Sequence, residues 1–511
     1  MKKYIEQILA LCLSLTCIIS NAQILISEDA GEARGVLDLN NRTNPKNLGL
    51  VLPAVTVNDE PAALGTILYD NEKNCIKYSD SDGVLSDCLL SSIGVGRVSN
   101  EVLGIGSKFQ IKQASAGNNT TLVIGAHDEA VYSVGSTSSY NTGLGTTNPV
   151  KFFTLFFAEP TASVSLSSTH GILATKTGYV YAWGSNTNGR IGMGSVANVG
   201  LPSLVAGFGP EEEEDNPYYG KAIQVASSGA NSYILTEDGR VFSMGAATTY
   251  GLNGDGLTSG NVTTPKEITF FSSITPKITQ ISASEFTAGA SNGTNKIYVW
   301  GAGAYSALGT GKNTVEPAPK EVTFLKDIKQ IAMGYRAGLA LVEDGKSFYV
   351  WGAKANISLG NSSYQSTPIE LGLPFPELGL PFPEFDPATD EILSVEASRI
   401  PYSSTATEGG IMITTTAGIF VSGTNRTGRL GTGNTDNISS GFGILSTVNI
   451  PADTKFLRAS LGVGHSIIVT GYKDGSGEEV YTDGFGVGAA SYRPFGSPYI
   501  ETQHHPVVLY K

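Results

Sequence analysis

Gly178-Tyr179-Val180-Tyr181-Ala182-Trp183-Gly184-Ser185-Asn186-Thr187-Asn188-Gly189-Arg190-Ile191-Gly192-Met193-Gly194 reads as a turn, a short strand carrying an aromatic residue, a glycine, and a polar loop closed by further glycines. The same order recurs along the chain of 511 residues. Val131-Tyr132-Ser133-Val134-Gly135 precedes it; Val241-Phe242-Ser243-Met244-Gly245, Ile297-Tyr298-Val299-Trp300-Gly301 and Phe348-Tyr349-Val350-Trp351-Gly352 follow. Ile419-Phe420-Val421-Ser422-Gly423 and Val480-Tyr481-Thr482-Asp483-Gly484 complete seven copies. Self-similarity of this kind decides the architecture before any single residue is interpreted.

Outward from each copy the pattern is that of a sheet. Two apolar runs come first, as Ile328-Lys329-Gln330-Ile331-Ala332 and Leu339-Ala340-Leu341-Val342 do before Phe348. Hairpin turns such as Thr177-Gly178, Asp238-Gly239, Asp344-Gly345 and Ala417-Gly418 lead into the aromatic strand, because glycine accepts positive φ without steric cost. A run containing Pro202, Pro265, Pro319, Pro368 or Pro506 follows the polar loop, and proline fits an outermost strand that needs no further donor. Four short strands in each of seven units predict an all-β fold, a seven-bladed β-propeller over residues 96–511. The closing strand at His505-Pro506-Val507-Val508-Leu509-Tyr510 is expected to meet Lys108-Phe109-Gln110-Ile111-Lys112-Gln113 and shut the ring.

The wording VYxWGxNxxGxLGxG, best kept from Val180 to Gly194 and from Ile419 to Gly433, resembles the regulator of chromosome condensation repeats. Tryptophan stands only at Trp183, Trp300 and Trp351, with Asp483 in that place in the seventh unit, whose loop lacks the Leu-Gly-x-Gly ending. The resemblance implies the propeller. In that family members range from nucleotide exchange on a nuclear GTPase to extracellular inhibition of enzymes, so it leaves the function open.

Residues 1–22 read as a signal peptide: Lys2 and Lys3, an apolar run from Ile8 to Ile19 too short to span a bilayer, then Ser20-Asn21-Ala22 before Gln23. Cys17 would mark a lipoprotein, but Ser14-Leu15-Thr16-Cys17 lacks the leucine expected three residues earlier. No later apolar run is long enough to cross a membrane as a helix. The expected location is exported: extracellular, or associated with the cell surface or outer membrane. Cys75 and Cys88 then remain, and a disulfide across a hairpin is the expected pairing in an oxidising compartment, with a metal site the weaker alternative.

Residues 23–95 form a small N-terminal β-rich segment of different character. Gly35-Val36-Leu37-Asp38-Leu39-Asn40-Asn41, Leu48-Gly49-Leu50-Val51-Leu52-Pro53-Ala54-Val55-Thr56 and Leu64-Gly65-Thr66-Ile67-Leu68-Tyr69-Asp70 resemble the N-terminal segment of secreted proteins of the Bacteroidota, with Ala54 where that pattern has arginine. A plain β cap on the propeller is the rival reading. Two insertions stand out further on: Glu211-Glu212-Glu213-Glu214-Asp215, and Leu371-Gly372-Leu373-Pro374-Phe375-Pro376-Glu377 followed at once by its copy, Leu378 to Glu384. Both suit surface excursions, the second also a recognition loop.

The net charge of −13 argues against nucleic acid, which needs a basic face. His170 and His465 fall at strand starts and are expected to make structural hydrogen bonds. His127, His504 and His505 have no visible companion ligands, and Asp80-Ser81-Asp82-Gly83 lacks the distal acid of a calcium loop. No catalytic residues, metal site or cofactor are therefore expected. The loops after the aromatic strands instead offer Tyr140, Tyr250 and Tyr305 at similar offsets, Arg190 and Arg429 at a matching one, and Tyr492 with Arg493 in the seventh unit. Loops of a ring share a face, and tyrosine and arginine combine contact area with hydrogen bonding. The sequence thus predicts a secreted or surface scaffold that binds another protein through one face. The alternative is a propeller enzyme acting on glycans, which needs carboxylates converging at the channel.

Overall fold

Six of the seven copies of the repeat become the third strand of an antiparallel blade, and seven blades follow in chain order. These come from a computed structural model that describes residues 109–135, 139–210, 219–247, 250–357, 359–360, 363–372, 386, 388–400, 409–489 and 503–509, together with six short strands before residue 92. The chain divides into two compact units, residues 1–105 and 106–511. In the first, Ala54–Val55, Ile67–Asp70, Cys75–Tyr78 and Leu90–Ser91 make one sheet, and Gln23–Leu25 pairs with Val36–Asp38. The expected leader, the Cys75–Cys88 bridge, the acidic insertion, the tandem copy beyond Gly372, and Tyr492 with Arg493 lie outside the described residues. Among the described residues no helix is long and apolar enough to cross a membrane.

The reason for the repeated glycine is visible in the ladder. Gly135, Gly184, Gly245, Gly301, Gly352, Gly423 and Gly488 end the third strands with φ between 105° and 120°. A Cβ at any of them would come within 2.1–2.6 Å of a carbonyl oxygen on the paired strand, closer than real atoms approach. Only glycine closes the blade there.

Gly488 replaces Gly484 in that series, which corrects the reading of the seventh unit. Its third strand is Phe485–Gly488, in register with His465 opposite Gly488 as His170 is opposite Gly184. Val487, not Asp483, thus stands where Trp183 stands. Val480 and Tyr481 belong to a hairpin extension that pairs with Gly471 to Lys473. The chain leaves the ladder between them because it receives the other end of the ring. Phe109 N–H donates to Leu509 O, Gly484 N–H donates to Phe109 O, and Gln110 bridges Asp483. The predicted meeting of the two ends is present, although blade 7 is built entirely from residues 456–508.

Seven apolar clusters fill the seven junctions between neighbouring blades, including Phe109, Ile111, Leu457, Ile467 and Leu509 where blade 7 meets blade 1. Each tryptophan bolts a junction as well as filling it. The indole N–H of Trp183 donates to Asn141 O of blade 1, that of Trp300 to Leu252 O of blade 3, and that of Trp351 to Ala307 O of blade 4. In blades 3 and 7, which lack tryptophan, a serine substitutes: Ser232 donates to Arg190 O and Ser466 to Arg429 O. The proline-bearing strands are the outermost in their blades.

Candidate functional site

The first strands line the axis and are stitched by side chains. Ser115 accepts the amide of Leu166, Ser165 that of Ser227, Ser282 that of Met333, and Ser460 that of Ala116. Blade 6 places Glu396 in this belt, where it accepts the amide of Leu461. Burial raises its carboxyl to about 7, against the pull of Arg399. Arg399 lies across the axis: its guanidinium donates to Ser165 and Ser115 of blades 2 and 1, while its carbonyl accepts Glu285 N–H from blade 4. Glu285 is also raised by burial, opposed by Arg190, and rests against Gly229. Among the described residues these two carboxyls near the axis are the raised ones.

The loops after the first and third strands share one face. The expected candidate residues separate there into two kinds. Arg429 is 1% exposed and donates to the carbonyls of Thr424, Gly409, Gly462 and Val463. Arg190 is 7% exposed and donates to Thr187 O, Gly229 O and Thr169 Oγ1. Both follow the glycine of the same turn, as the sequence suggested, but their guanidinium groups point inward and join adjacent blades. They are corrected from contact residues to structural ones.

The tyrosines stay partly accessible, and their registers differ. Gly143 N–H donates to Tyr140 O, as Gly192 N–H does to Gly189 O, so Tyr140 takes the place of that glycine, with φ of 60°. Tyr250 and Tyr305 sit one position earlier, before Gly251 and Ser306, whose carbonyls accept Gly254 and Gly309. Tyr140 lies beside Gly200 of blade 2. Tyr250 and Tyr305 instead belong to an aromatic arc over blades 3 to 5 that runs from Tyr250 to Tyr364. Tyr250 packs on Phe286 at 5.2 Å between ring centroids, Phe286 on Tyr335 at 6.0 Å, and Tyr305 edge-on to Tyr364 at 5.3 Å. Arg336 links the halves, its Cζ 3.7 Å from the Tyr305 centroid and 4.8 Å from that of Tyr335.

Phe286, Tyr335, Arg336 and Arg399 escaped the sequence reading because they sit in the turns after the first strands. The available signal was a contrast at that turn: Tyr335-Arg336 and Glu285-Phe286 stand where blade 2 has Ser168-Thr169. The two described histidines at strand starts do what was expected. His170 shares hydrogen bonds with Ser167 and Ser232, and His465 with Thr121 of blade 1. Burial holds His170 well below the usual imidazole value and His465 down at about 3. Among the described residues no group of three or more histidine, cysteine, aspartate or glutamate side chains is placed to hold a metal ion.

With this geometry in place, sequence comparison identifies the repeat. The regulator of chromosome condensation (RCC1) repeat matches residues 177–235 and 294–341, and a second form of it matches residues 162–190. The blades within these residues are of the RCC1 type. The chain is 33% identical over 183 residues to the E3 ubiquitin-protein ligase HERC2 of Homo sapiens, covering 35% of this chain and 4% of that protein. It is 23% identical over 283 residues to the human Regulator of chromosome condensation, covering 51% of this chain and 65% of that protein. The chain therefore spans less than two thirds of the length of these curated relatives. Among solved structures, human WBSCR16 superposes with a TM-score of 0.58 at 18% identity, covering 75% of this chain and 94% of that one. Prp20p of Saccharomyces cerevisiae gives 0.55 at 17% identity, covering 79% and 88%. These likenesses establish the fold.

Proposed function

We propose that this RCC1-type propeller is a non-catalytic protein-binding scaffold, exported to the cell surface or envelope, that engages its partner through the loop face of blades 3 to 5. The observation that carries the reading is the arc of Tyr250, Phe286, Tyr335, Arg336, Tyr305 and Tyr364. Tyr335 is buried, while part-exposed Tyr250, Phe286 and Tyr305 and exposed Tyr364 offer contact area at low entropic cost. Export rests on the leader-like residues 1–22 and on the N-terminal segment that resembles those of secreted proteins. The structural neighbour Prp20p is described for its binding to Gsp1p and histones, which agrees with protein binding as the use of such a ring.

The test is affinity capture with the chain from Gln23 onward, cross-linked to envelope and medium fractions and read by mass spectrometry. A stoichiometric protein partner is expected, lost when Tyr250 and Tyr305 become alanine and kept when Leu325 (90% exposed, between blades 4 and 5) becomes alanine. A partner indifferent to the tyrosines would move the function off this face.

A further inference from the structure

The blade 5 turn has features that the fold does not use. Gly334 pairs with Ala337, so Tyr335 and Arg336 make the whole connection. Arg336 adopts φ of 59°, the left-handed region that disfavours a residue with a Cβ. Two hydrogen bonds hold it there: Tyr335 N–H donates to Ser398 O at 2.6 Å and Ala353 N–H donates to Arg336 O at 2.8 Å. An arginine kept in a conformation better suited to glycine points to a role for its side chain.

That side chain is fixed but unmatched. Tyr305 and Tyr335 hold the guanidinium plane by cation–π contact at 3.7 Å and 4.8 Å, yet an aromatic face accepts no directed hydrogen bond. Nη1 is buried with no hydrogen-bond partner. Arg190 and Arg429 on the same face are saturated by carbonyls, so the contrast is internal to the molecule. Arg336 as a whole is only part-buried, and a flat, immobilised guanidinium matches a carboxylate, whose two oxygens fit its fork. The setting agrees. The loops of blades 4 and 5 on this face add Lys312 and Lys354, while Glu285 is turned onto Gly229. The opposite face carries the acidic hairpin turns Asp128-Glu129, Glu237-Asp238 and Glu343-Asp344, of which Glu129 is paired with Lys112 and Lys176 and Asp238 with Arg240. On blade 5 the acidic turn and the cations therefore lie on opposite faces, and an acidic ligand meets the cations on the loop face.

We infer that Arg336, held between Tyr305 and Tyr335, receives an aspartate or glutamate side chain of the protein that docks on the loop face; this rests on the protein-binding reading above and specifies its chemistry.

The probe is a fluorescein-labelled hexaglutamate peptide, with hexaglutamine as control, followed by anisotropy on the full chain. Hexaglutamate is expected to bind and hexaglutamine not. Arg336→Gly should weaken binding at least about tenfold, the usual cost of losing a charged anchor. It should not lower Tm, because glycine accepts the backbone conformation. Arg336→Lys, which keeps the charge but loses the planar fork, should weaken binding nearly as much. Lys354→Gln, on the same blade and face, should change it less than about twofold. Equal losses for Arg336→Gly and Lys354→Gln, or no hexaglutamate binding by the parent chain, overturn the assignment. A captured partner still lost on mutation of Tyr250 and Tyr305 would then confine the failure to the carboxylate. Indifference of that partner to the tyrosines would remove the docking face as well.

Discussion

Two sectors of one face use the same kinds of residue in opposite ways. Over blades 2 and 6, arginines from the loops turn inward: Arg429 binds four carbonyls, Arg190 two, and Arg399 crosses the axis to two serines. Over blades 3 to 5, the corresponding turns carry rings that pack on one another, Tyr335 buried and Tyr250, Phe286 and Tyr305 part-exposed, and the guanidinium of Arg336 lies over two of the rings. The first arrangement stabilises the ring and the second leaves binding capacity free. A residue type at a repeat position therefore does not define its role; the direction of the side chain does.

The comparison breaks most visibly at Arg429. Replacing it with alanine strands its carbonyl acceptors and opens a cavity, so a loss of roughly 3–5 kcal/mol is expected by denaturant unfolding. The same change at Arg336 should leave the unfolding midpoint nearly in place. Comparable losses at the two sites would erase the distinction between the sectors.

Acid should act on the inward sector next. The folded-state values of His170 and His465 lie below the ordinary imidazole value, so the unfolded chain binds more protons on acidification. Their stabilisation is complete above about pH 6.5 and falls as pH drops, for His465 down to about 3, by up to about 1.4 kcal/mol per pH unit for each. Glu396 works in the opposite sense. Its folded value is raised to about 7, so it is more favourable protonated, and its contribution grows as pH falls from 7 toward 4.5. Chemical denaturation against pH should therefore show a shallow loss down to 4.5 and a steeper one below. Glu396→Gln should steepen the upper branch, and a profile unchanged by that substitution would exclude Glu396 as the opposing group.

A smaller effect is expected at the junctions. Trp183→Phe keeps most of the apolar volume but removes the donor to Asn141 O, a loss of about 1–2 kcal/mol by thermal or denaturant unfolding. Ser232→Ala, which removes the substitute donor to Arg190 O, should cost a similar amount if serine fills the tryptophan's role.

These predictions also mark what the sequence could carry. The ring was legible because strand order, strand-ending glycines and outer prolines are local consequences of backbone geometry repeated seven times. Blade 7 was misregistered because Val480-Tyr481-Thr482-Asp483-Gly484 imitates the repeat while serving a hairpin extension, and only the long-range contact of Phe109 with Gly484 distinguishes the two. The aromatic arc was half legible. Tyr250 and Tyr305 fall five and four residues after Gly245 and Gly301, but their connection runs through Phe286, Tyr335 and Arg336 in turns whose residue types change from blade to blade. Contact between blades depends on packing, which one-dimensional periodicity does not encode.

The smallest stability effect should accompany the largest change in binding, and Tyr140 sharpens that point against Tyr305. Both have φ near 60°, at 60° and 61°, and both follow a strand-ending glycine, so the sequence treats them alike. Yet Tyr140 occupies the glycine place of its turn beside Gly200, while Tyr305 lies under the Arg336 guanidinium and against Tyr364. Removing either partly exposed ring should cost no more than about 1 kcal/mol of stability. Tyr305→Ala should also release the plane of Arg336 and lose the captured partner, whereas Tyr140→Ala should retain it, as read by quantitative cross-link yield. Equal loss of partner from both variants would extend the docking surface round the ring to blade 1, because the arc over blades 3 to 5 would then no longer account for binding by itself.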